Sequence, residues 1–180
     1  MIIFCFDPRW PGTFVPFRSN VPVRHFRCST SDGIAAIAQR IRSEAGRAQL
    51  SDLYLCAHGN SGYMQLGQGL SASNAFAFSV LYGRFEPMGT IHIHGCGVGS
   101  DTNIVGGGSV SAPVCVPGTF AGDRIGSSRT GAGYELLRAL ANYTGAWVEA
   151  ALNCQYDDPL YTYEGPSVLV TPGGSFGATE

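Results

Sequence analysis

The chain has 180 residues, the length of one domain, which is enough to bury about 70% of the surface that the unfolded chain exposes. Hydrophobic residues make up 44% of it, a content that argues against a disordered protein. The net charge of -2 argues against a nucleic-acid-binding protein, which would carry an excess of basic residues. All eleven basic residues are arginine, so chemistry that depends on lysine, such as Schiff-base formation, is excluded.

The cysteines and the N-terminus bear on where the protein works. The six cysteines include no CxxC pair, and most of them lie in or beside apolar runs, which predicts thiols rather than a disulfide framework. Residues 1–7 lack the basic segment and the long apolar run of a signal peptide. No run reaches the length of a transmembrane helix. We expect a cytoplasmic protein without a membrane or nucleic-acid partner, and export by a route that needs no signal peptide stays open.

The first half of the chain predicts four strands and two helices. Short apolar or alternating runs bounded by turn residues are typical of strands, and apolar residues at helical spacing after a capping residue are typical of helices. In chain order the predicted elements are a strand at 2–6, a proline-containing loop at 9–22, a strand at 23–28, a helix capped within 30–32 that ends near Gly46, a strand at 53–57, a helix capped by Ser71 or Ser73 that runs through Phe85, and a strand at 90–94.

The second half of the chain opens with a long stretch without periodicity, residues 100–131, which is rich in glycine and serine. A connection of this length is functional or disordered in most compact domains. A helix at 133–143, a strand at 147–152, a polar loop at 153–166 and a strand at 168–170 follow. Strands that alternate with helices predict one α/β domain over residues 1–180, a three-layer sandwich whose mainly parallel central sheet has helices on both faces.

Two of the predicted strands end in residues that suit nucleophilic chemistry. The strand at 53–57 stops at His58, which Gly59 follows, and the strand at 90–94 leads to Cys96. Because parallel strands end at the same edge of a sheet, we expect the imidazole and the thiol to lie together there. Exposure at such an edge, beside an imidazole, is what a nucleophilic thiol needs. The backbone N–H groups of Gly59 and Cys96 could then form an oxyanion hole.

The order of these motifs resembles the caspase-like cysteine peptidases, the superfamily of caspases, legumain, gingipains, clostripain, separase and the bacterial CHAT domains. His58-Gly59 and Gly95-Cys96, separated by a helix and a strand, carry the resemblance. The stretch from Tyr134 to Asn153 is also similar to the helix and strand after the nucleophile, particularly in a bacterial domain of adhesin-like proteins. The resemblance implies a cysteine endopeptidase that acts on proteins or peptides without a metal or other cofactor.

Within this resemblance, Cys96 is the nucleophile and His58 the general acid that protonates the leaving amine. His94 falls where the family lines its specificity pocket. The ends of neighbouring strands add Asp7, Asn153 and Asp157 as weaker substrate-binding candidates. An acidic residue in this pocket would select a basic residue before the scissile bond. The alternative is that these residues only form a turn or a solvated loop.

The long connection at 100–131 also contains a candidate processing site. Related peptidases often mature by cleavage of a loop after the nucleophile strand, which implies cleavage at Arg124 or Arg129 here. A surface loop whose arginines maintain solubility is the alternative. Regulation by a partner protein is open as well.

Other interpretations of the residues around Cys96 compete with the peptidase. His92, His94 and Cys96 alternate along one strand and could bind zinc with His58, unless a covering helix makes His92 an interior, hydrogen-bonded residue. Residues 95–100 imitate a dinucleotide-binding glycine motif, but no acidic residue closes a strand about twenty positions later. A hydrolase elbow would require glycine at position 94. The alternative function is a non-catalytic binding domain of the same fold with an inactive or occluded site.

Overall fold

The computed structural model describes residues 1–11, 19–100, 131–152, 163, 167–174 and 176–179. These residues form strands, two α-helices and one 3₁₀ helix. The strands are β1 (Ile2–Phe6), β2 (Val23–Arg27), β3 (Leu50–Cys56), β4 (Gly59–Asn60), β5 (Tyr63–Met64), β6 (Leu70–Ser71), β7 (Phe85–His94), β8 (Trp147–Ala151), β9 (Ser167–Val170) and β10 (Phe176–Thr179), and the helices are α1 (Ile34–Ala45), the 3₁₀ helix (Ala75–Leu81) and α2 (Ala132–Thr144).

Seven of the strands form one sheet in the order β10-β9-β8-β7-β3-β1-β2. The five strands from β8 to β2 run parallel, and β9 and β10 are antiparallel to their neighbours. β4, β5 and β6 form a separate antiparallel sheet after β3. The chain is therefore an α/β protein with a mainly parallel sheet, as the sequence predicts.

One face of the large sheet holds the main hydrophobic core. Alternate side chains of the strands point to it and pack against all three helices. From α1 the core receives Ile34, Ile37 and Ile41, whose helical spacing is the pattern that predicts this helix. The strand side chains in this core include Ile3, Leu53, Leu55, Ile91, Ile93, Val148 and Val168.

The opposite face of the sheet carries aromatic and polar side chains. Phe4, Tyr54 and His92 stack across three neighbouring strands, with ring centroids 4.4 Å and 4.5 Å apart. Tyr163 stacks on His94 from outside the sheet, at 4.8 Å. The sequence predicts helices on both faces, but within the described ranges every helix packs on the face opposite to these aromatic residues.

Two predicted helix starts differ from the structure. The Asp32 carboxylate accepts a hydrogen bond from the Ser29 N–H, and Gly33 is the N-cap of α1, without a side-chain bond. The helix predicted through Phe85 is the shorter 3₁₀ helix, whose N-cap is Asn74. Phe85 instead begins β7, which starts before the predicted strand, after a turn at Gly83 (φ 70°). Its register with β3 shifts between Phe85 and Thr90, where Met88 has a φ of 64°.

Some elements have too little sequence signal to be predicted. β4, β5 and β6 are two residues long each, and β10 has glycine and alanine, which are depleted in strands, at its two central positions. None of the helices in the described part of the chain has both the length and the apolar character needed to span a bilayer.

Candidate functional site

The predicted histidine and cysteine follow two neighbouring strands of the sheet. β3 and β7 pair in parallel, with Cys56 opposite His94. One residue further on, the Ala57 N–H donates to the His94 carbonyl at 3.1 Å, so the pairing continues to the edge of the sheet. His58 and Cys96 each lie two residues beyond the paired Cys56 and His94. The structure therefore brings the two strand ends together at one edge.

The two segments that follow these strands, which we call the histidine tip (57–62) and the cysteine tip (95–100), are in direct contact. A Cβ atom on Gly59 would lie 2.3 Å from Val98 Cγ2 and 3.3 Å from the Cys96 carbonyl oxygen. Ser61 Oγ donates a hydrogen bond of 2.6 Å to the Ser100 carbonyl. Glycine at position 59 is thus required by the close approach of the cysteine tip.

Cys96 lies within the tight chain reversal of the cysteine tip. Gly97 has a φ of 57°, a conformation that favours glycine, and its carbonyl accepts the Ser100 N–H. The sequence predicts exposure for Cys96 at this edge, but the residue is buried, with 9% of its surface exposed. Among the described cysteines it forms no disulfide, so it can supply a thiol.

The His58 ring is held by a backbone carbonyl. Its Nε2 lies 3.0 Å from the carbonyl oxygen of Arg9. A carbonyl oxygen only accepts hydrogen bonds, so Nε2 must carry the hydrogen. In the neutral ring Nδ1 is then the nitrogen with the lone pair, and it is the one that can take a proton. The Trp10 ring lies on the same side, with its centroid 6.1 Å from that of His58.

The backbone N–H of Gly59 points away from the small sheet. The His58 carbonyl accepts the Gln65 N–H at 2.7 Å, and Gly59 faces Met64 in the next register position. Hydrogen-bonded and non-hydrogen-bonded pairs alternate in an antiparallel ladder. Gly59 therefore occupies a non-hydrogen-bonded position, and its N–H faces away from β5, as an oxyanion donor would require.

Asp7, a predicted substrate-binding residue, is completely buried and forms an ion pair with Arg9. Burial alone would raise the pKa of this carboxyl, but hydrogen bonds from Arg9 and from the Gly67 N–H outweigh it and lower the pKa. The charge of Asp7 is therefore matched by a residue of the same chain.

His94 lies beneath the cysteine tip and is 5% exposed. Its ring stacks on Tyr163, with planes 9° apart, and is tilted against Tyr54 at 5.6 Å. The other predicted site residues lie outside the described residues: Asn153, Asp157, Arg124 and Arg129.

His92 is hydrogen-bonded through both ring nitrogens. Nε2 lies 3.0 Å from Asp52 Oδ1, and Nδ1 lies 3.3 Å from Glu149 Oε2. Burial would lower the pKa of His92, but the two carboxylates outweigh it and raise the pKa. His92 is thus a satisfied interior histidine. No group of three or more histidine, cysteine or acidic residues suited to a metal ion occurs in the part of the chain that the structure describes.

Arg9 is the site residue that the sequence did not reveal. Asp7-Pro8 signals a turn after β1, but nothing in the sequence shows that the Arg9 carbonyl reaches His58, 49 residues away. The partners of its guanidinium, Gln65 and Gly67, belong to a segment without any recognisable motif.

No protein-family model, curated protein or solved structure matches this chain. The resemblance to caspase-like peptidases rests on the residues of the histidine and cysteine tips and on their order along the chain.

Proposed function

We propose that the chain is a cysteine endopeptidase with a caspase-like, three-layer α/β fold, in which His58 and Cys96 hydrolyse peptide bonds. The contact between the histidine tip and the cysteine tip carries this proposal. Two residues whose chemistry is complementary follow adjacent parallel strands, and the segments that hold them touch through Gly59 and Val98. A Cys/His pair needs its two residues on such neighbouring strand ends, within reach of one another.

In the proposed reaction the Cys96 thiol loses its proton to His58, and the thiolate attacks the carbonyl carbon of the scissile bond. The tetrahedral intermediate collapses to a thioester, and the leaving amine takes the proton from His58. Water then hydrolyses the thioester and restores the thiol. The bond from His58 Nε2 to the Arg9 carbonyl supports this role, because it leaves Nδ1 to exchange the proton.

The negative oxygen of the intermediate would be stabilised by the N–H groups of Gly59 and Cys96. The orientation of Gly59 away from β5 supports the first donor. Fixed backbone donors stabilise charge that develops in the transition state without reorganising.

The substrate class that fits this chemistry is a protein or an extended peptide. A preference for a basic residue before the scissile bond would depend on Asp157, because the Asp7 carboxylate is paired with Arg9.

The test is peptide hydrolysis by two variants and two matched controls. Cys96→Ala and His58→Ala should each lower kcat by at least about 1,000-fold, because the members of a catalytic pair act as a unit. Cys56→Ala, a buried cysteine on the neighbouring strand, and His25→Ala, on the exposed strand β2, should retain turnover if they fold. Wild-type turnover in Cys96→Ala would refute the peptidase.

A non-catalytic binding domain is the second candidate, which one observation favours. Phe76, Tyr82 and Met88 are 57%, 71% and 67% exposed within one stretch of the chain, from the 3₁₀ helix into β7, and grouped exposed apolar side chains mark binding surfaces. The two functions differ in the reactivity of Cys96. In a peptidase its alkylation by iodoacetamide should slow in His58→Ala, whereas a site used only for binding should show no such dependence.

A further inference from the structure

The turn after β1 is built around the ion pair between Asp7 and Arg9. Arg9 Nε and Nη2 donate to the two carboxylate oxygens of Asp7 at 2.7 Å and 2.8 Å, and the Arg9 backbone N–H donates to Oδ1 at 2.9 Å. The Trp10 N–H closes the turn on the Asp7 carbonyl at 3.1 Å. Because the Asp7 side chain is fully buried and the Arg9 side chain only 33% exposed, the turn has a fixed anchor in the protein.

The guanidinium of Arg9 also joins this turn to the segment after β5. Nη2 donates to the carbonyl oxygens of Gln65 at 2.8 Å and Gly67 at 2.7 Å. The Gly67 N–H returns a bond of 2.8 Å to Asp7 Oδ2. The turn after β1 and the segment after β5 therefore each donate hydrogen bonds to the other.

These bonds form a closed circuit that includes His58. The Arg9 side chain binds the Gln65 carbonyl, the Gln65 N–H binds the His58 carbonyl at 2.7 Å, and the His58 ring binds the Arg9 carbonyl at 3.0 Å. Both the backbone and the ring of His58 are thus fixed relative to one residue, Arg9.

We propose that Arg9 is a positioning residue, whose guanidinium, anchored on Asp7 and bound to Gln65 and Gly67, holds the carbonyl that fixes the tautomer and orientation of His58. This proposal rests on the proposed function for its effect on turnover, but its effect on the His58 ring is independent of it. Asp7 then serves the site through Arg9 rather than through a bound substrate.

Lysine cannot replace arginine in this role. One ammonium group can neutralise Asp7, but it lacks the planar fork that bonds a carboxylate through two nitrogens and still reaches two carbonyls. Arg9→Met removes every side-chain bond while keeping similar length, and Arg9→Lys keeps the charge alone. Arg24→Met is the matched control, since Arg24 pairs with Glu44 at 3.2 Å on the exposed edge strand, away from the turn.

The first measurement is steady-state hydrolysis of a peptide substrate. Arg9→Met should lower kcat about 10- to 100-fold with KM nearly unchanged, because a misplaced general acid slows the chemistry more than binding. Arg9→Lys should fall between this variant and the wild type, and Arg24→Met should match the wild type.

The second measurement is the His58 tautomer, read from long-range ¹H–¹⁵N NMR correlations of the imidazole rings and assigned by the signal that His58→Ala loses. The wild type and Arg24→Met should show the Nε2–H form, whereas Arg9→Met should show a mixture of both tautomers. A folded Arg9→Met with the wild-type tautomer overturns the proposal. An altered tautomer with unchanged kcat would confirm that Arg9 positions the His58 ring and would overturn its role in turnover.

This design distinguishes a failure of the proposed function from a failure of the Arg9→Met variant to fold. If the wild type hydrolyses no peptide, the proposed function fails, and the tautomer comparison alone decides whether Arg9 positions His58. If Arg9→Met does not fold because Asp7 is left buried without its partner, Arg9→Lys decides. Wild-type kcat and tautomer in Arg9→Lys would then show that the several donors of the guanidinium are not needed.

Discussion

At the scale of single residues, the site depends on Gly59, a position where neighbouring atoms leave no space for a side chain. Gly59 has no unusual backbone angle, but a Cβ there would overlap Val98 and crowd the Cys96 carbonyl. The same Val98 methyl lies 3.0 Å from the position of a Cβ on Gly95. Val98 is thus the side chain that fills the space between the histidine tip and the cysteine tip.

Gly59→Ala should therefore destabilise the protein by about 1–3 kcal/mol, the usual cost of forcing an extra carbon into a packed site. Val98→Ala removes the methyl group that the new carbon would meet at 2.3 Å. In a double-mutant cycle followed by urea denaturation, the combined variant should lose less stability than the two single variants together. Simple additivity would contradict the contact between the tips.

At the scale of the strands, a polar belt crosses the aromatic face of the sheet. Asp52 on β3, His92 on β7 and Glu149 on β8 are joined by the two His92 bonds, and Ser167 Oγ on β9 donates to Glu149 at 2.6 Å. The pKa of His92 is raised, and those of Asp52 and Glu149 are lowered, by their mutual hydrogen bonds despite burial. The belt is therefore a charged network that ties four neighbouring strands together.

The belt predicts how stability depends on pH. Because the folded pKa of His92 lies above the unfolded value of about 6.5, its contribution is complete below that pH and is lost as pH rises through the folded pKa. The carboxylates behave oppositely: their contribution is present above their unfolded pKa values of about 4 and is lost as pH falls through the lowered ones.

His92→Gln should lower the free energy of unfolding at pH 6 by about 1–3 kcal/mol, the range for hydrogen bonds to charged groups. The difference from the wild type should shrink as pH rises, because the wild type then loses the charged imidazole. Urea denaturation between pH 6 and pH 9 measures it, with His25→Gln on the exposed strand β2 as control. A difference that stays constant over this range would contradict a charged His92.

At the scale of the whole molecule, the two faces of the sheet have different chemistry. The helices bury aliphatic side chains on one face, while the other stacks Phe4, Tyr54 and His92. Burial, followed by the carboxylates of Asp52 and Glu149, raises the pKa of Tyr54 to about 12. On this second face Phe4 is buried, Tyr54 and His92 are half-buried, and no described helix packs there.

The raised pKa of Tyr54 predicts a late ionisation of its phenol. The measurement is an alkaline titration of the protein followed by absorbance near 295 nm, where the ionised phenol absorbs. Tyr54 should ionise near 12 or upon unfolding, whichever comes first. Tyr54→Phe should reduce the amplitude of this late step and leave the early amplitude of the titration unchanged. Loss of early amplitude in Tyr54→Phe would show that the second face is open to solvent.

The sequence by itself determined the elements with strong local patterns and the two residues of the candidate dyad. The apolar spacing of Ile34, Ile37 and Ile41 predicts α1, and the helix before Gly145 is found with nearly the predicted bounds. His58 and Cys96 could be recognised because each follows an apolar strand and is flanked by glycine, a signal that is local in sequence.

Only the tertiary structure decided how the remaining charges are used. The sequence predicts that Asp7 lies in a turn, whereas only the fold shows that it binds the Arg9 guanidinium. The sequence likewise does not distinguish His92 from other strand histidines, and only the fold places it between Asp52 and Glu149. Asp52 and Glu149, which flank His92, and Gln65 and Gly67, which bind the Arg9 guanidinium, lie on different strands or distant loops. No local periodicity encodes such contacts across 40 or more positions. For the same reason the sequence predicts His58 and Cys96, which local patterns mark, but does not predict the Arg9 carbonyl, which binds His58 from 49 positions away.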